Sequence, residues 1–179
     1  MENNQIRLYN LIFPMWFMLW FPGWYWLIIL PVNFLVDYLV LKVCFKKKAM
    51  DNYKSLLKKY SWKTWIYGFL ADLIGAIYLL IIYGGVSIVG EGLIDAGSRK
   101  IGIKISVWAN DSMISAWDNP LGFIVSLSGV ALAGFLVYKF NFSMLKKNET
   151  IGEDIARYMA KWLAIITAPY LIMIPIYFY

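Results

Sequence analysis

Charged residues fall in blocks along the chain and leave four or five long apolar stretches between them. The first stretch, residues 6–21, is apolar on every helical face, from Leu11 and Ile12 through Trp16 to Leu19 and Trp20. An interfacial amphipathic helix would keep one polar side, so the pattern predicts insertion into a membrane instead. Some fifteen residues reach about 22 Å as a helix, short of the roughly 30 Å hydrocarbon core. This segment is therefore expected to barely span or to re-enter, and Pro22-Gly23 marks a turn after it. A second span is predicted over residues 24–45, interrupted by Pro31 and closed by Lys46, Lys47 and Lys48. A third covers 62–89. Asn119-Pro120 opens a fourth, 120–140, with Asn as N-cap and Pro at the first helical position. Thr150 to Glu153 has capping-box spacing and opens a fifth, 151–179, which passes through Pro169 and Pro175.

The loop between the third and fourth spans, 90–118, has a different period. Across residues 100–108, Ile101, Ile103, Ile105 and Val107 alternate with Gly102, Lys104, Ser106 and Trp108. Alternation at period two predicts a β-strand, with Asp111 capping a short helix after it. The expected fold is thus a single polytopic membrane domain over residues 1–179, all-α. It has four or five transmembrane helices, the first short or re-entrant, and a small external region containing a strand.

Composition strengthens this picture. Hydrophobic residues make up 61% of the chain and charged residues 16%, and the mean hydropathy is +0.60. A water-soluble domain is nearer half apolar and a quarter charged. There is no histidine and one cysteine, Cys44. That excludes a disulfide framework, Cys/His metal sites and any triad with an imidazole base, so no metal, cofactor or catalytic residue is expected.

The charge distribution gives the orientation. Residues 46–63 carry seven Lys and residues 139–161 carry five Lys or Arg, whereas loop 90–118 carries three against four acids. The two basic loops are expected on the cytoplasmic side of a bacterial-type membrane, with the C-terminus outside. Residues 49–60 also set Met50, Tyr53, Leu56, Leu57 and Tyr60 against Lys47, Lys54 and Lys58, an amphipathic pattern. Lys46, Lys47, Lys48, Lys54, Lys58 and Lys59 are therefore assigned to anionic lipid headgroups, and nucleic acid is not an expected partner.

Two acids lie within apolar spans, where ionisable groups are costly and mark function by default. Asp37 has Asn33 one turn before it, and Asp72 lies between Gly68 and Gly75. Counting from the cytoplasmic ends places both carboxyls at similar depth, about 12 and 15 Å in. Either they hold the bundle in register by interhelical hydrogen bonds or, with Asn33, they line a polar path. In the fourth span Gly122, Ser126, Gly129 and Ala133 form a small-residue face that admits a close helix neighbour, and Ser126 adds a hydrogen-bonding group. These features lead to the expectation of a non-enzymatic multi-pass subunit in a homo-oligomer or larger membrane complex of transport, secretion or immunity type. The alternative is a self-sufficient small channel or carrier through Asn33, Asp37 and Asp72. An intramembrane enzyme is the least supported reading.

Overall fold

A computed structural model describes residues 12–14, 23–24, 26–50, 52–117, 119–173 and 175–177 of the 179-residue chain. Apart from one short strand pair, the fold is helical. Its elements in order are β1 (Ile12–Pro14), α1 (Trp26–Lys47), α2 (Tyr53–Asp95), α3 (Arg99–Ile114), α4 (Pro120–Leu145), α5 (Gly152–Ile166), a 3-10 turn (Tyr170–Met173) and β2 (Pro175–Tyr177). Three of them, α1, α2 and α4, are long and apolar enough to cross a membrane. Their outward faces carry Leu27, Ile28, Leu35 and Val43 on α1, Ile81 and Ile88 on α2, and Leu121, Ile124 and Phe135 on α4, all exposed. Such continuous apolar cover is compatible with integration into a bilayer and not with a water-facing surface.

The two ends of the chain depart from the expected spans. Residues 12–14 form an extended strand, not part of a helix, and pair antiparallel with residues 175–177. The remainder of segment 6–21 lies outside the described residues. The fifth stretch is not one helix to residue 179: α5 stops at Ile166 after 15 residues, about 22 Å. Pro169 explains the stop, since it donates no hydrogen bond and disfavours helical geometry in the residue before it. Nor does the Thr150 capping box form. The N-cap is Ile151 without a side-chain cap bond, and the turn is held by Asn148, whose Oδ1 accepts from the Thr150 amide at 3.0 Å.

The third span is longer than its apolar stretch. The 43 residues of α2 reach about 64 Å, because no proline interrupts residues 53–95 and the basic amphipathic segment continues into the span without a break. Its far end turns back through a Schellman motif: the Ser98 amide donates to Leu93 O at 2.8 Å, and Gly97 takes φ +88°. The chain returns as α3 along α2, which corrects the strand expected at 100–108. Gly102, Ser106 and Ala109 fall at helical spacing, and Gly102 and Ala109 are buried. A Cβ built on Gly90 would lie 2.9 Å from Gly102 O and from the Ser106 amide nitrogen. The hairpin thus depends on two backbones approaching where neither has a side chain, an arrangement that small residues on a helix permit.

α4 runs antiparallel to α2 for its whole length, from Tyr83 beside Gly122 to Tyr60 beside Asn148. Its N-terminus has the predicted cap: Asn119 Oδ1 accepts from the Gly122 amide at 2.6 Å and from Trp108 Nε1 at 3.0 Å, and Asn119 Nδ2 donates to Ser112 Oγ at 2.5 Å. One side chain therefore starts α4 and fastens α3 to it. Buried side chains gather in two clusters. The larger joins Leu41 and Phe45 of α1, Leu57 and Tyr60 of α2, Val137 and Leu145 of α4, and Met159 and Leu163 of α5. The smaller joins Ala76, Leu79 and Tyr83 of α2 with Val130 and Met173.

Candidate functional site

Between the two apolar clusters the interior becomes polar. Asp37 is 4% exposed and packs against α2 where Gly68 leaves room; a Cβ on Gly68 would lie 3.5 Å from Asp37 Oδ2. Asp72 stands one turn further along α2, near enough for the two carboxyl groups to interact electrostatically. Its Oδ1 is buried without a hydrogen-bond partner. One turn before Gly68, Thr64 is 1% exposed, and its hydroxyl also lacks a partner. Asn33, one turn before Asp37 on α1, is half-buried.

The third helix to contribute is α5, through its broken end. Its last residues reach the depth of Gly134 on α4, where a Cβ would meet Ala164 O and the Ala168 side chain. The Thr167 side chain faces Asp37, and its hydroxyl donates to Leu163 O at 2.9 Å. A helix that ends at this depth presents carbonyl oxygens and the negative end of its dipole to the interior. Non-helical backbone is tolerated at membrane depth only where protein or a polar cavity surrounds it. Asp37, Thr167 and the C-terminus of α5 thus lie together, and Asp72 extends the buried polar patch along α2. Among the described residues no basic side chain pairs with either acid, and the only ion pair joins Arg157 and Glu153, exposed on α5.

The residues picked from sequence for packing are all engaged within this chain. Gly75 approaches α4 so closely that a Cβ there would lie 3.1 Å from the Ala133 Cβ and 3.2 Å from Gly129 O. Gly129 admits Leu79, and Gly122 admits Ser112. Ser126 is not at the acid pair: it shares a 3.0 Å hydrogen bond with the Tyr83 hydroxyl near the other end of the bundle. Because α2 and α3 occupy the small-residue face, that face no longer argues for a second copy.

Lys46, Lys47, Lys48, Lys54, Lys58 and Lys59 are all exposed at the α1–α2 end. Lys48 and Lys59 lie over the Tyr158 and Tyr60 rings, at 4.5 and 5.4 Å from the centroids. Sequence reasoning missed Thr167, Thr64 and Asn141. Asn141 is wholly buried on α4, with its Oδ1 unpartnered. Thr167 follows an apolar run and directly precedes Ala168-Pro169. That combination signals a helix ending inside the bundle.

No protein-family model, curated protein or solved structure matches this chain.

Proposed function

We propose that the protein is a non-enzymatic membrane transport component in which Asp37 and Asp72 bind and pass a proton or small cation. The carrying observation is the buried, unpartnered Oδ1 of Asp72, one turn along α2 from the Gly68 position where Asp37 is buried beside the broken end of α5. Each acid at mid-bilayer costs on the order of 2.5–3.5 kcal/mol, and hydrogen bonding alone needs no such charge. In the proposed orientation the α1–α2 turn and the α4–α5 turn face the cytoplasm, where the Lys and Arg blocks lie, and the α2–α3 hairpin projects outward.

Purified protein in liposomes with an internal pH dye, under proton, sodium and potassium gradients in turn, tests the proposal. Wild type should dissipate one gradient faster than protein-free liposomes. Asp37→Asn and Asp72→Asn should slow it by about tenfold or more while melting within a few degrees of wild type, since the amide retains shape and hydrogen bonding. A wild type no faster than empty liposomes, or Asn variants as fast as wild type, would refute the proposal.

A second reading, assembly with another membrane protein or a second copy, is favoured by the hairpin. Ile88, Val89 and Ile101 are 70%, 59% and 58% exposed there, beyond the end of α4. Retention of a defined stoichiometry in mild detergent supports that reading; a monodisperse monomer opposes it.

A further inference from the structure

At the end of the bundle opposite the hairpin, α1 and α2 line an open groove of about 630 Å³. Its walls include Phe34 and Lys42 from α1, and Lys54, Lys58 and Trp62 from α2. Among the described residues, three lysines and no carboxylate line it. Lys54 and Lys58 are one turn apart on α2, Lys42 lines the groove from α1, and among the described residues none of the three forms an ion pair. The first turn of α2 adds to this field, since it holds no acidic residue and its N-cap makes no side-chain bond. Below the lysines the lining changes to aromatic. Phe34 lies 6.5 Å from Trp62 and 6.2 Å from Trp65, ring centre to ring centre, and Trp62 is 57% exposed. Polar and apolar halves are thus stacked along the membrane normal, as they are in a lipid.

We propose that this groove is a discrete site for one phosphate-bearing amphiphile. Its anionic head sits among Lys42, Lys54 and Lys58, and its chain follows Phe34 and Trp62 into the bilayer. This differs from a diffuse attraction of the basic turn to a charged surface, because Lys47, Lys59 and Lys63 carry the same charge on the same helices but do not line the groove. It is also independent of the carboxyl pair.

The test is native mass spectrometry of the full chain in detergent, titrated with dioleoylphosphatidylglycerol, with dioleoylphosphatidylcholine and with inorganic phosphate. One phosphatidylglycerol per chain should be retained, in preference to phosphatidylcholine. The combined variant Lys42→Gln/Lys54→Gln/Lys58→Gln should weaken retention by about tenfold, and Lys47→Gln/Lys59→Gln/Lys63→Gln by less than about twofold. Both triples lose equal charge, so a shared loss of affinity would show diffuse attraction and overturn the site. Equal retention of phosphatidylcholine would overturn the role of the lysines. Displacement of the lipid by millimolar inorganic phosphate would show that the head alone is the ligand, and would overturn the amphiphile.

Discussion

Replacing Gly90 by alanine sets two effects of opposite sign against each other. In an exposed helix, alanine is favoured over glycine by about 0.8–1 kcal/mol. At Gly90, however, the added methyl would meet Gly102 O and the Ser106 amide nitrogen of α3, both at 2.9 Å, and the Ser106 hydroxyl closer still. The hydroxyl can rotate away, but the two backbone atoms cannot. α2 and α3 must therefore separate by several tenths of an ångström along the hairpin, and forced overpacking of this kind costs about 1–3 kcal/mol. The repulsion outweighs the propensity gain, and Gly90→Ala should destabilise the hairpin by about 1–2 kcal/mol. Gly92, two residues on in the same helix, is exposed and has no atom near its notional Cβ. There only the propensity term remains, and Gly92→Ala should stabilise by about 0.5–1 kcal/mol. Hydrogen exchange in detergent over residues 86–108 reads the difference locally: about tenfold faster for Gly90→Ala and slower than wild type for Gly92→Ala. If Gly90→Ala protects the segment as Gly92→Ala does, the helices do not touch there and the hairpin is wrong.

Three further outcomes are expected. Ala49 occupies the left-handed position of the turn that ends α1, with φ +50° and the Met50 amide bonded to Phe45 O, the place taken by Gly97 at the end of α2. Ala49→Gly should raise stability in thermal unfolding by about 0.5–1 kcal/mol, and an unchanged or lower midpoint contradicts the geometry. Asn119→Ala removes the α4 cap and the bonds to Ser112 and Trp108 together, so it should cost about 2–3 kcal/mol, more than an isolated N-cap; a loss under about 0.5 kcal/mol would mean the three bonds do not form. Single cysteines at Lys54 and Ser98, in a Cys44→Ser background, should react with an impermeant thiol reagent in intact cells at 98 and not at 54. The opposite pattern reverses the orientation.

The sequence by itself determined which stretches are long and apolar enough to cross a membrane, and where local chemistry starts or stops a helix. The apolar excess is compatible with a bilayer, and Asn119-Pro120 starts a helix through bonds within four residues. Lys46 and Lys47 likewise mark the last turn of α1. Such features depend on composition or on near neighbours, so one dimension carries them. Other features were decided only by the packed chain. Residues 100–108 alternate as a strand would, yet their small residues also recur at helical spacing. Period alone does not choose between the two, and the glycine of another segment, Gly90, settled it. The basic first turns of α2 differ from the apolar span in charge, but no backbone breaker lies between Lys58 and Trp62, so one helix runs through both. Asp37 and Asp72 were placed at similar depth by counting residues. The burial of Asp37 against Gly68, and the arrival of Thr167 beside it, required α1, α2 and a truncated α5 to converge. Contacts between residues distant in the chain leave no periodic trace, because each helix records only which of its faces is small or polar and not what comes to lie against it.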